Sequence, residues 1–307
     1  KSNIKWKPNA QTIAGGNGKG NKLNKLSSPY GIYVDHHQQH IYIADWGNHR
    51  IVKWKLGENN GAIVAGGNGY GSRIDQLNRP IDVIVDENNK SLIICDQDNR
   101  RVVRWSLQNP NGDKEILIQN ILCWGLMMNE NGDLFVSDWE NHAVKVWRKG
   151  EIGKGKEGII VAGGNGQGNK LNQLNYPSYI FIDREETVYV SDWQNNRVMK
   201  WYKDANEGII VAGGQGQGNS LNQLNGPQGL LVNEIGDVYV ADSGNHRIMC
   251  WSSGSKQGRV VVGGNGEGEG SNQSNYPICL SFDVENNLYV VDYGNNRIQR
   301  FNVDNKD

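Results

Sequence analysis

Long apolar runs are missing from this chain: no stretch approaches the roughly 20 residues that a membrane-spanning helix needs, so such a helix is excluded. Excess charge is missing as well. With 32 Lys and Arg against 33 Asp and Glu, bulk electrostatics gives no argument for nucleic acid or a membrane surface. Cysteine is scarce, and 4 in 307 residues do not make a disulfide framework. Cys95 and Cys250 lie within apolar runs and Cys123 and Cys279 near the starts of others, which favours small buried thiols. A pair between neighbouring units stays open. No secretory leader is present, and a start at Lys1 suits a mature form or a fragment. Asn272-Gln273-Ser274 is the one glycosylation pattern, and it tips the compartment only slightly toward the extracellular side.

Glycine is abundant, at 40, and its placement argues against a disordered chain. The glycines fall at fixed offsets around a heptapeptide, Asp45-Trp46-Gly47-Asn48-His49-Arg50-Ile51, that is written six times, at Asp45, Asp96, Asp138, Asp192, Asp242 and Asp292. A self-similar unit at a period of roughly 50 residues means an array whose repeats share one core. Each heptapeptide sits between two alternating apolar runs, such as Ile41–Ala44 and Ile51–Trp54, which reads as a tight β-turn between strands. Asp can accept from the turn N–H groups, Gly and Asn tolerate a left-handed backbone, and the Arg five places on can pair with a carboxylate of its own or the adjoining unit. Six copies suit a structural strap better than a catalytic pair.

Four strand candidates per unit are the mark of a propeller blade. The blades run approximately 30–67, 80–119, 123–164, 177–214, 227–264 and 277–303, and the last lacks its fourth strand. An orphan strand at 11–16 can supply it, so the expected fold is all-β: a closed six-bladed propeller over residues 11–307, preceded by an arm at 1–10 with no strong pattern. Twelve residues separate Gly16 from Pro29, and the same spacing precedes four other blades. In these loops Leu23 and Leu26, Leu171 and Leu174, and Leu221 and Leu224 read as one helical turn with two inward anchors. Gly163 to Gly168 is no phosphate loop, because a Pro and a strand follow it in place of a helix. Trp54, Trp105, Trp147, Trp201, Trp251 and Phe301 occupy one equivalent place and read as core between blades.

The runs Pro29–Asp35, Ile41–Asp45 and Asn48–Ile51 closely resemble the NHL repeat, and all six units share the likeness. The resemblance implies a six-bladed propeller. Its members include interaction domains, RNA-binding repressors, extracellular sensor domains and a metal-dependent amidating lyase. In that lyase, histidines directly after the blade-opening Pro hold the metal. The matching residues here are Tyr30, Ile81, Trp124, Ser178, Gln228 and Ile278, so the metal site does not carry across and no cofactor is expected. His49, His142 and His246 sit in turn motifs, too far apart around a ring to share a metal; His36, His37 and His40 fall on one hairpin and read as a solvated turn. Asp35, Asp86, Asp183 and Asp283 end innermost strands, where a turn role is favoured over calcium binding.

The favoured function is a monomeric, non-enzymatic recognition module that takes a protein, peptide or small-molecule ligand on its loop face. Its expected contacts are Tyr30, Trp124, Ser178 and Gln228 at the channel mouth, with Trp46, Trp139, Trp193, Tyr293, Asp138 and His142 on the turns. A propeller hydrolase or lyase comes second and RNA binding third. Residues 1–64 carry nine Lys and Arg against three acids, but Glu267 and Glu269 oppose a basic face. The pattern breaks most between blades 2 and 3, where the long loop is missing, its Pro has become Cys123 and Ala143 replaces the motif Arg. That break predicts a notch in which Asp138, lacking its Arg, is free to meet a ligand.

Overall fold

The computed structural model describes residues 4–35, 39–109 and 112–304. Alternating Val, Ile, Tyr and Trp between Gly- and Asn-rich turns give 24 strands in six antiparallel sheets of four. In blade 1 the strands are Ile32–Asp35, His40–Asp45, Arg50–Lys55 and Ala62–Gly66, from the axis outward. The first strands stand around the axis, each against the next. Blade 6 consists of Pro277–Phe282, Leu288–Asp292, Arg297–Phe301 and, as its outer strand, Gln11–Gly15. Gln11 faces Arg300 and Gly15 faces Arg297, so the two ends of the chain close the ring.

Packing between blades holds the apolar core. The six late-strand aromatics are all buried, with Trp54, Trp201, Trp251 and Phe301 at 2% exposure or less. Segment 4–10 does not stand off as an arm. Trp6 is buried, stacks on Phe282 at 5.7 Å, meets Tyr239 edge-on and donates Nε1–H to the Asn286 carbonyl. It wedges between blades 5 and 6 beside the closing strand, a role that one aromatic without a repeat partner could not announce in sequence.

The heptapeptide is a strap, and its partner is the loop that enters its own blade. Asp45 Oδ1 accepts from the Ser27 N–H, and Oδ2 accepts from Asn48 Nδ2 and Arg50 Nε, each within 2.8 Å. Arg50 then donates to the carbonyls of Asn21, Lys22 and Lys25. Blades 2, 4, 5 and 6 repeat this arrangement from Arg101, Arg197, Arg247 and Arg297. Burial raises the Asp45 carboxyl, while the Asn48 and Ser27 bonds and Arg50 oppose it.

Three expectations change at this level. In blades 1, 2, 4 and 5 the turn is a short 3-10 helix whose left-handed residue is the fifth of the motif, an Asn in blade 4 as backbone tolerance allows but His49, Arg100 and His246 in blades 1, 2 and 5. Only the second Leu of each loop pair is an anchor. Leu26, Leu174 and Leu224 are fully buried, whereas Leu23, Leu171 and Leu221 are exposed and use their backbone carbonyls to hold Gly61, Gly208 and Gly258. Finally, two of the four cysteines are bonded: Cys95 of blade 2 joins Cys123 of blade 3, and Cys250 and Cys279 remain buried thiols.

Candidate functional site

The fifth residue of the motif reaches forward to the loop that enters the next blade. His49 Nδ1 accepts from the Arg79 N–H, His142 Nδ1 from Tyr176 and His246 Nδ1 from Tyr276. Asn196 and Asn296 place a side-chain oxygen for the same bond, to Gly226 and Ser28. The turn histidines are therefore acceptors in ring construction, and they must be neutral at Nδ1 to serve. Burial lowers the pKa of both His49 and His142 from the ordinary 6.5, with Arg79 adding to the effect at His49. The unfolded chain then binds more protons than the folded one below that value. Stability from these groups is complete above pH 6.5 and is lost as pH falls toward their folded values. Melting temperatures measured from pH 7.5 to 5 should fall with acid, and His49→Asn combined with His142→Asn should flatten the slope. An unchanged slope in the double variant would reject the role of these bonds.

One missing loop accounts for two departures at the junction of blades 2 and 3. With no loop to receive, blade 2 carries Arg100, which cannot accept, at the fifth place; its side chain instead pairs with Glu140. With no loop to clamp, blade 3 has Ala143 where the Arg stands elsewhere. Asp138 is consequently not free. It is 1% exposed, pairs with Lys145 Nζ at 2.8 Å, and accepts from Asn141 in place of a loop N–H. Asp98, which stands in the blade 2 turn where blade 1 has Gly47, pairs with Arg79. The notch is thus bridged by the disulfide and by Arg100–Glu140.

The remaining loop-face residues gather into one aromatic arc. Trp124 and Trp139 stack at 4.1 Å, Trp139 meets Trp193 at 5.4 Å and Tyr176 at 5.0 Å, and Tyr30 meets Trp124 at 5.8 Å. Tyr30 also touches Trp46 at 5.8 Å and Tyr293 at 5.1 Å. All seven rings are half-buried. Contributions from blades 1, 3, 4 and 6 converge because the first-strand entry and the strand 2 to strand 3 turn of a blade share one face. Gln97 and Ser243 interrupt the arc in blades 2 and 5. Arg79 covers the Trp46 ring at 4.7 Å, and burial together with Tyr293 raises the Tyr30 pKa.

The other expected contacts are structural or lie elsewhere. Ser178 is fully buried and donates to the backbone at Pro227 and Ser191. Gln228 is buried, and its Oε1 has no partner among the described residues. Asn272 is exposed on the loop into blade 6, and Ser274 two places on is buried. His40 is half-buried; His36 and His37 lie outside the described residues. Sequence reading missed Tyr176, whose place as the last loop residue before Pro177 puts it beside the arc.

Comparison with known proteins agrees with the propeller fold. The NHL-repeat model matches residues 26–54, 224–251 and 275–301. No curated protein matches the chain. Among solved structures it is similar to a protein of unknown function from Bacteroides thetaiotaomicron, at TM-score 0.72 and 15% identity over 96% of this chain and 76% of that one. An auxiliary nutrient binding protein from the same organism gives 0.71 and 14% over 96% and 76%. A streptogramin B lyase gives 0.60 and 10% over 92% and 97%. At these identities the likeness is one of fold. The chain is a six-bladed β-propeller that carries NHL repeats at residues 26–54, 224–251 and 275–301.

Proposed function

We propose that this propeller is a non-enzymatic recognition module whose loop face holds a small ligand or peptide with a flat apolar surface. The carrying observation is the arc of half-exposed rings from Trp193 through Trp139, Trp124 and Tyr30 to Trp46 and Tyr293. Large rigid rings give contact area at little entropic cost, and their faces stack on sugars, aromatic side chains or proline. A ring of straps beneath holds the arc in place before any ligand arrives, which favours affinity. Binding by a fold neighbour described as a nutrient binding protein is in keeping with this reading. The Cys95–Cys123 bond suits an oxidising compartment.

Tryptophan emission gives a direct test. A panel of oligosaccharides and aromatic or proline-rich peptides is titrated against the chain, and any binder is remeasured with Trp124→Leu and Trp139→Leu. Loss of roughly 1–2 kcal/mol, about tenfold in Kd, is expected at each ring. Tyr202→Ala and Ile235→Ala, which remove exposed apolar side chains from connections at the other end of the blades, should change nothing. Equal losses at all four positions would reject the loop-face assignment.

A further inference from the structure

The axis of the ring carries a second, differently built site. At the level of the residue two places after each blade-opening proline, or after Cys123 where it replaces that proline, glycine alternates with a larger side chain. Blades 1, 3 and 5 give Gly31, Gly125 and Gly229; blades 2, 4 and 6 give Asp82, Tyr179 and Cys279. A Cβ at Gly31 would lie 2.2 Å from Asp82 Oδ1, and one at Gly229 would lie 2.7 Å from the Cys279 Cα. Every second blade has therefore given up its side chain so that its neighbour can close in. The three remaining side chains form the floor of a cavity of about 270 Å³ that lies on the far side from the aromatic arc. Its walls are apolar, chiefly Leu126, Met128, Ile180, Phe181, Leu231 and Leu280.

The floor has polar capacity that the protein leaves unused. Asp82 is 5% exposed and accepts from the N–H groups of Val83 at 3.0 Å and Leu126 at 2.9 Å. Among the described residues no Lys, Arg or His pairs with it, in contrast to the strap acids, each of which has its cation. Tyr179 is equally buried, and among the described residues its hydroxyl has no partner. Structure alone explains two bonds to Asp82, but each carboxylate oxygen can accept a second, and a buried acid without a counter-charge is costly to keep. Burial pushes the Asp82 carboxyl up to about 7, and the nearest titratable groups, Tyr179 and Cys279, are also raised by burial and supply no positive charge.

We propose that this axial cavity binds a small primary amine with an apolar tail, its ammonium group donating to Asp82 and Tyr179 and its tail lying among the walls. The chemistry is selective on three counts. An ammonium supplies the counter-charge that Asp82 lacks and carries three donors for the open acceptor positions. A carboxylate ligand would meet like charge, and a neutral alcohol would leave the acid uncompensated. The volume sits just below the usual ligand range of about 300–1,000 Å³, so the tail is short. Binding also converts a partly protonated Asp82 to the carboxylate and releases that proton to solvent.

Isothermal titration at pH 7 with phenethylamine, 2-phenylethanol and 3-phenylpropionate on the whole chain tests the site. The amine is expected to bind at least tenfold more tightly than the alcohol, and the acid not at all. Its heat should change with the ionisation enthalpy of the buffer, reporting proton release. Asp82→Asn should weaken the amine at least tenfold, Tyr179→Phe severalfold, and Met128→Trp should block it by filling the cavity. If Asp82→Asn does not fold, charge discrimination and proton release in the unaltered chain still decide. Equal binding of the three probes, absent buffer dependence, or full binding by Met128→Trp would each overturn the assignment.

Discussion

Removal of residues 1–16 is expected to lower the melting temperature by on the order of 10 °C and to make the opened ring associate. Two losses combine. Outer strand Gln11–Gly15 goes, which strips the ladder partners from Arg297–Phe301 and exposes an edge open to another chain. Trp6 goes with it, and emptying the site of a buried Trp costs about 3–5 kcal/mol, here the space between Tyr239 and Phe282. Freed chain entropy offsets part of this, leaving several kcal/mol, or about 2 °C for each in a domain of this size. Trp6→Ala alone separates the terms: it should reproduce roughly half the drop without association on a sizing column. A deletion that melts like the intact chain would mean that the ends do not close the ring.

The second large effect is expected at the covalent bridge. Replacing Cys95 and Cys123 by Ser together, or adding reductant, should cost roughly 3.5 kcal/mol by loop-closure entropy, for a separation of 28 residues. Other junctions are held by an Arg clamp on one side and a His or Asn acceptor on the other; here both are missing, and the bridge is backed instead by Arg100–Glu140 and by the Leu126 N–H bond to Asp82. Amide exchange should therefore quicken first in Arg101–Ser106 and Lys114–Gln119, the two strands enclosed by the bond, and in Cys123–Met128 beyond it. Exchange that rises evenly around all six blades would contradict this local role.

Periodicity made most of the fold legible before any coordinates. A strand pattern repeated six times, an orphan strand at one end and a missing one at the other leave few arrangements other than a closed ring. The Asp–Arg strap was readable because both members recur at fixed spacing. What escaped reading were contacts made once. Trp6 has no counterpart in another repeat; Lys145 stands in for the lost Arg from two places further on; and the Cys95–Cys123 pair needed the register of two neighbouring sheets. Expectation left the left-handed position of the turn to Gly or Asn by backbone tolerance, which suits Asn196 and Asn296, whereas blades 1, 2, 3 and 5 give the same fifth place to His49, Arg100, His142 and His246. The loop-face aromatics came together because their two positions share an end of the blade, and the role of Asp138 failed for want of its substitute partner. Asp82 was passed over although an acid in the apolar run Pro80-Ile81-Asp82-Val83-Ile84-Val85 was there to be noticed.

Closure by antiparallel strands also sets how the ring would respond to tension. Gln11 and Arg300 face each other at one end of the closing pair, and the chain leaves both strands from that same end. Trp6 and Val303 continue the contact outward, with Lys7 bonded to Asn302 and Asp304 to Lys5. A pull applied between residues 4 and 304 would load these bonds in sequence, as a zipper, and never in parallel, as a shear joint. The Trp6 wedge would yield first and the closing strand next, at low force, while the five continuous blades carried none of the load. The seam that completes the propeller is thus also a mechanical fuse, and tension along the backbone would open the ring at that seam before any other blade came under strain.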